Sequence, residues 1–401
     1  MRKPNIQLQK LSLKHIDQYN ALLRYAFQVT EKTLLEYNWE ADEIRKSKFP
    51  VLEHASVFGC FDEENLVSQF AVYPIKMNIH SETYSVGFIT SVATYPEYSG
   101  MGLMTKLMKQ SLNEMRDKGQ SLAVLYPYSI PLYRHRGWEI ISDVMTWRLK
   151  VSQLPKTKNI SGYVRRVSID SEELINLHNA FAQATHGCLF RNKLAWEEYW
   201  RWDVDDTMVC IYYGQNDRAL GYMVYRIDED IMYVKEMIYL NQEAKNGLFH
   251  YIEAHENMID EVKGNNYFGR PIAFSLYDSD IKETIRPYIM GRIIDVEQFL
   301  LQYRFQCETE DLKFTLHVHD PFLEWNNKSF TFSIHEGRVR LDQGKTPYEA
   351  TLSIGTLTAL LMGYIDAADL SELERIQASE KTIDLLDDLI IRGKPYISDY
   401  I

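Results

Sequence analysis

The sequence predicts a mixed α/β and α+β protein: two tandem α/β units with mixed sheets, followed by one α+β domain. Three observations predict it. Strand-like and helix-like segments alternate through the first 150 residues, the pattern of an α/β unit. The same order recurs faintly after a polar segment at 151–162. From about residue 295 the texture changes to hairpin strands followed by helices. A length of 401 residues favours two or three domains over one. The expected boundaries are 1–150, 151–294 and 295–401.

In the first unit, IQLQKLS starts as a strand and HIDQYNALLRYAF reads as an amphipathic helix. ASVFGCFD, NLVSQFAVYPIKMNI and TYSVGFITSVATY are successive strands separated by tight polar turns. A helix is expected from about Gly102 to Lys118. Leu103, Met104, Leu107, Met108, Leu112 and Met115 keep the spacing of one buried face, and Gly119 stops it. SLAVLYPY is a strand, PLYRHRG a short helix and WEIISDVMTWRL another strand. VSQLPKTKNISG reads as a linker.

The second unit repeats the order with IYYGQNDRALGYMVYRI and DIMYVKEMIYL as strands. The next stretch overlays on the first helix so that Gly247 falls on Gly102, and its loop, QEAKNG, has lost the glycine pattern. In the third domain, KSFTFSIHEGRVRLD is a hairpin. Phe330, Phe332 and Ile334 point inward, Glu336-Gly337 turns, and Val339 and Leu341 return. TLTALLMGY and SEKTIDLLDDLI are helices.

Composition excludes several functions. A net charge of −12 does not suit a protein that coats nucleic acid, so no nucleic-acid partner is expected. The same charge can draw in a cationic ligand, although solubility alone explains it. No apolar run is long enough to span a bilayer, and MRKPNIQLQKLS lacks the apolar core of a signal peptide. No membrane partner is expected. The four cysteines form no CxxC pair, which suits a reducing, cytoplasmic setting and predicts no metal framework.

The informative stretch is SVATYPEYSGMGLMTKLM. A strand ends at Thr94-Tyr95, Pro96 blocks further pairing, and a loop leads into a helix. Gly100 and Gly102 let backbone approach a ligand closely. Free N–H groups at a helix N-terminus bind phosphate through backbone donors and the helix dipole. No lysine stands where a P-loop needs one. An ordinary tight turn fits the same two glycines.

The surroundings decide between these readings. The segment resembles motif A of the GNAT superfamily, Arg/Gln-x-x-Gly-x-Gly/Ala after a strand, on Ser99, Gly100, Met101, Gly102, Leu103 and Met104. Ser99 replaces the basic residue and Met104 the last small one. Roughly thirty residues downstream, LYPYSIPLYRHRGWEI resembles motif B. The whole chain resembles the Eis (enhanced intracellular survival) branch. That branch joins an active GNAT domain, a degenerate GNAT domain and a sterol-carrier-protein-like domain. The resemblance implies an acetyl-CoA-dependent N-acetyltransferase and a homo-oligomer, hexameric by family.

Residue by residue, the resemblance implies that Val92, Ala93 and Thr94 bind pantetheine and the acetyl group through backbone. Gly100, Met101, Gly102, Leu103, Met104 and Thr105 would hold the pyrophosphate, and Tyr128 and Ser129 would flank the cofactor. Tyr133 matches the general acid. Ile401 matches a terminal residue whose α-carboxylate reaches back into the first domain's site. A tyrosine with a pKa near ~10 is protonated at neutral pH and can donate to a leaving thiolate. Packing is the competing role for Tyr133 in a chain with 27 tyrosines.

Asp399 is a candidate for binding a cationic substrate, and Tyr37 and Trp39 could form an aromatic wall. His317 and His319 share a strand face but have no further ligand cluster in the sequence. His135 is expected in solvent, and Asp384, Asp387 and Asp388 on a solvated helix face. The leading function is direct, ternary-complex acetylation of a small cationic amine, polyamine- or aminoglycoside-like. The alternatives are a protein-lysine acetyltransferase and a noncatalytic acyl-CoA or lipid-binding protein.

Overall fold

One sheet runs through the first two domains without a break. The computed structural model describes residues 4–156, 160–203, 206–307 and 312–401. Among these residues, thirteen strands form the large sheet and five form a second sheet in the third domain.

The first domain begins with antiparallel strands Ile6–Lys10, Ser56–Asp62, Asn65–Ile79 and Glu82–Thr94. Glu82–Thr94 then pairs in parallel with Leu122–Leu125, after a crossover through the helix Leu103–Asp117. That helix buries Leu103, Leu107, Met108, Leu112 and Met115 of the predicted stripe, while Met104, expected on the same face, is only half-buried. The helix Ile16–Ala26 covers the opposite face.

Strand exchange joins the two units. Lys282–Ile293, from the second unit, inserts between Leu122–Leu125 and Glu139–Lys150 of the first. Glu139–Lys150 in turn pairs with Glu261–Asn266 of the second. Neither unit closes its sheet without the other's last strand. The polar segment after Lys150 is only partly a free linker: Gln153 and Leu154 are buried, and 157–159 lie outside the described residues.

The third domain packs the helices Ile354–Leu361 and Glu380–Leu389 on its sheet. The predicted hairpin forms as Ser329–His335 and Arg338–Leu341, turning at Glu336 and Gly337. Phe330, Phe332, Ile334 and Val339 face inward, but Leu341 is exposed, because at the sheet edge it has no layer to meet. Asp387 is no idle surface charge either. Its carboxylate accepts the N–H groups of Ala367 and Ala368 at 2.6 and 3.1 Å and caps the neighbouring helix. Arg292, fully buried on the exchanged strand, joins all three domains. It pairs with Asp320 at 2.6 Å and donates to the Arg136 carbonyl at 2.6 Å.

The second unit corrects the predicted overlay. Gly247 does not open a helix; it lies inside the helix Gln242–Glu253, against the Tyr212 ring, where a side chain would clash. The residue in Gly102's structural place is Asn241. Its side chain accepts from the Ala244 N–H at 2.9 Å and so closes the helix end that the first unit leaves open. The overlay failed because matched apolar residues shift easily by a helical turn, whereas a cap does not.

Candidate active site

The strand Glu82–Thr94 keeps its parallel partner only as far as Ile89, opposite Leu125. Beyond that the two strands part, and Thr90–Thr94 has an open edge. The register with Asn65–Ile79 also slips here, between Ala71 opposite Thr90 and Gln69 opposite Ala93. Ser91 sits in the bulge with φ of 55°, an uncommon conformation for a residue with a side chain. The Tyr19 hydroxyl holds it in place, donating to Ser91 Oγ at 2.9 Å.

At the end of this strand, Gly102 opens the helix at φ 74° with no side-chain cap. A Cβ built on Gly100 or Gly102 meets nothing within 4 Å. Backbone donors therefore face open space, the arrangement that suits a phosphate. Sequence reasoning missed a cation here. Arg136 reaches the first turn of the helix and donates from Nη2 to Thr105 Oγ1 at 3.1 Å. It brings a positive charge to a turn where Ser99 brings none. Across the bulge, Gln69 is fully buried with neither side-chain amide atom hydrogen-bonded.

Tyr133, on the short helix Ile130–Arg134, is buried and lies edge-on to Trp138 at 6.0 Å. Burial pushes its hydroxyl up to about 12, with Arg136 opposing. It packs in the cluster that contains Leu103, Leu107 and Ile89. Ile401 packs on the cluster that contains Phe88. Phe88 and Ile89 are consecutive on one strand, so Tyr133 and the chain end come to the sheet from opposite faces. Tyr128 is almost wholly exposed, Ser129 opens Tyr133's helix and His135 is in solvent.

A cavity of about 350 Å³ lies on the chain-end side, lined by Thr90, Ser91, Tyr37, Glu198, Trp202 and Ile401 among others. Tyr37 takes its expected place. Trp39 does not: its indole N–H donates to the Arg201 carbonyl at 3.0 Å and packs the junction of the two units. Asp399 is corrected too. It is buried and paired with Arg191 at 2.6 Å, while Arg191 also forks onto Glu236 at 2.8 and 3.1 Å. Asp399 therefore anchors the chain end and has no open face for a substrate. Tyr288 adds a hydrogen bond to the Asp399 carbonyl at 3.2 Å.

Glu198 and Lys48 also line the cavity, and no sequence motif marks them. Burial alone would raise Glu198; Lys48 and Arg201 outweigh it and hold the carboxyl down to about 2. Arg201 forks onto it at 2.7 and 2.8 Å, and the Tyr73 hydroxyl donates at 3.0 Å. Lys48 is 3.4 Å from Glu198, and burial brings it down to about 8. Below about pH 8 this lysine is charged in both folded and unfolded chains. Above that it is neutral only when folded, so the unfolded chain binds more protons and stability rises with pH. Urea unfolding should show this rise between about pH 8 and 10, and Lys48→Met should lose it. An unchanged slope in the variant would contradict the assignment.

Two joined α/β units, a splayed parallel strand pair and an uncapped, glycine-opened helix define the architecture of an N-acyltransferase. Residues 7–141 match the family model of an acetyltransferase (GNAT) domain, and residues 187–293 match another model of that description. Residues 296–398 match a sterol carrier protein domain. The chain belongs to the GNAT N-acetyltransferases, with two tandem GNAT domains, the second divergent, and a sterol-carrier-like C-terminal domain.

An uncharacterized N-acetyltransferase of Streptomyces avermitilis is 21% identical over 381 residues, 86% of this chain and 88% of that protein. A conserved Enterococcus faecalis protein of unknown function, solved as a probable N-acyltransferase, is 27% identical with a TM-score of 0.90. The match covers 99% of this chain and 100% of that one. Eis1 of Mycobacterium abscessus shares the fold, with a TM-score of 0.82 at 17% identity over 99% of this chain and 100% of that one.

Proposed function

We propose that the first domain transfers acetyl from acetyl-CoA to an amine of a small cationic molecule, polyamine- or aminoglycoside-like. The observation that carries this reading is the cavity that both GNAT domains build against Thr90 and Ser91, with Ile401 in its wall. The family resemblance gives Ile401 its role through an α-carboxylate; Arg24 and Lys48 share the cavity wall, and no ion pair to Ile401 forms among the described residues. A half-buried carboxylate is stabilised by a cation, and an acceptor ammonium is a natural one. A neighbouring cavity of about 590 Å³ shares Tyr37 and Trp202 and adds Glu36, Asp203 and Asp228. Glu36 and Asp228 carry surface partners, Lys32 and Arg226, and more distant amines of the acceptor can join them, whereas Asp203 is already held by Lys235.

Acetyl-CoA supplies the acyl group as an activated thioester. Gly100 to Thr105 would hold its pyrophosphate, with Arg136 beside them. Val92, Ala93 and Thr94 would bind pantetheine along the open strand edge, and the Val92 N–H could polarise a carbonyl oxygen. Tyr128 and Ser129 would flank the cofactor. Tyr133 Oη keeps its proton at neutral pH and delivers it to the departing sulfur. The carboxylate of Ile401 cannot simply deprotonate an ammonium. Their ordinary pKa values differ by about 7 units, roughly 9 kcal/mol. It orients the cation, and water carries the proton away.

A half-open cavity of about 350 Å³ suits a small molecule better than a protein substrate. The carrier-like domain gives no support to a lipid-binding role. The gap among Phe314, Phe332, Leu357 and Leu386 is about 10 Å³, the room of a single water at most.

A screen of amines with acetyl-CoA, reading free thiol, tests the activity. Adding residues after Ile401, or deleting Tyr400 and Ile401, should remove most acetyl transfer and leave the fold and CoA binding intact. A C-terminally extended protein with unchanged kcat/KM would sink the role given to Ile401.

A further inference from the structure

We propose that the sheet where the two units join carries a second anion site, a cationic row across adjacent strands that takes a small, multiply charged oxyanion. Strand register places Arg226 opposite Tyr233, Tyr233 opposite Lys263, Lys263 opposite Arg148, and Arg148 opposite Lys282. Register partners point to the same face of a sheet. The five residues, four of them cations, therefore stand in one line across five neighbouring strands. All five line a cavity of about 550 Å³.

Such a row is unfavourable unless something balances it. Neighbouring strands lie about 4.8 Å apart, so Lys263, Arg148 and Lys282 fall within about 10 Å of one another. Like charges directly opposite destabilise a sheet. The protein balances part of the row. Arg148 meets Glu261 at 2.7 Å and Arg226 meets Asp228 at 3.1 Å. Arg226 and Lys263 also lie over the Tyr233 ring, at 4.4 and 5.3 Å. Neither Lys263 nor Lys282 forms an ion pair among the described residues, although Glu261, held by Arg148, also lies in the field of Lys263. Asp203, the one carboxylate of the lining, is held by Lys235 at 2.7 Å.

Composition does not explain the row, since the chain carries a net charge of −12. The adjoining row is neutral and polar: Asn265 faces Thr146, and Thr146 faces Thr284. A flat guanidinium between two ammonium groups, with amide and hydroxyl donors alongside, matches separated oxyanion groups on one small ligand. A polyphosphate and a polycarboxylate share that chemistry.

The test is calorimetric titration of the full chain at low salt with inorganic tripolyphosphate and, separately, citrate. Excess CoA is present to compete for the helix end at Leu103. At least one anion should bind, and the pair of titrations tells which oxyanion chemistry the row prefers. Changing Lys263→Gln and Lys282→Gln together should weaken it by at least about tenfold and flatten its salt dependence. The ligand-free double variant should melt no lower than the parent, because repulsion has been removed, and should keep acetyl transfer as proof of folding. If neither anion binds the parent, or the double variant binds equally well, the proposal fails. It also fails if the double variant changes only the sedimenting species, since the row then meets another copy of the chain.

Discussion

Tyr133→Phe is expected to lower kcat by about 10²–10⁴-fold while acetyl-CoA still binds. The change removes one oxygen and keeps the ring, so the edge-on contact with Trp138 and the apolar cluster around Leu103 remain. No hydrogen bond to the Tyr133 hydroxyl forms among the described residues, so the variant leaves no buried partner stranded and should fold normally. Burial raises this hydroxyl to about 12, so it is protonated in the resting site but a weaker acid than an ordinary phenol, and its main service is a hydrogen bond to the charge that develops on the sulfur. The loss therefore belongs to the transition state and should appear in kcat and kcat/KM together. A loss under about threefold, with chemistry limiting, would reduce Tyr133 to a packing residue.

Gly102→Glu is expected to abolish acetyl-CoA binding and with it all transfer. Two effects act together. Gly102 has φ of 74°, which a residue with a side chain adopts only with strain. A carboxylate at this position would also face the pyrophosphate that the uncapped N–H groups are left to meet. Nothing lies within 4 Å of the new Cβ, so the substitution does not crowd the core. The matched test in the second domain is Asn241→Ala. It should cost about 1 kcal/mol through loss of the cap to Ala244 and leave cofactor affinity unchanged. Gly247→Glu is no control, because it would drive a side chain into Tyr212. Equal losses of CoA binding from Gly102→Glu and Asn241→Ala, both folded, would contradict a single cofactor site in the first domain.

What the sequence determined by itself was local or periodic. The apolar stripe from Leu103 to Met115 predicted the helix that covers the sheet, because side chains at that spacing share one face. Gly100 and Gly102 announced the loop, because few other residues accept its backbone. The spacing from that loop to Tyr133 carried the family resemblance.

Tertiary structure alone decided everything that depends on distant partners. Asp399 looked like a free acid near an end; Arg191, 208 residues away in sequence, makes it an anchor. Glu198 and Lys48 lie in no motif, and only packing between the units brings them to the cavity of Ile401. The exchange of Glu139–Lys150 and Lys282–Ile293 leaves no local mark, since a buried strand reads alike beside either neighbour. The cationic row arises the same way. Arg148, Arg226, Lys263 and Lys282 stand far apart in the chain, and no motif links them. Their alignment is a property of strand register, which long-range pairing sets.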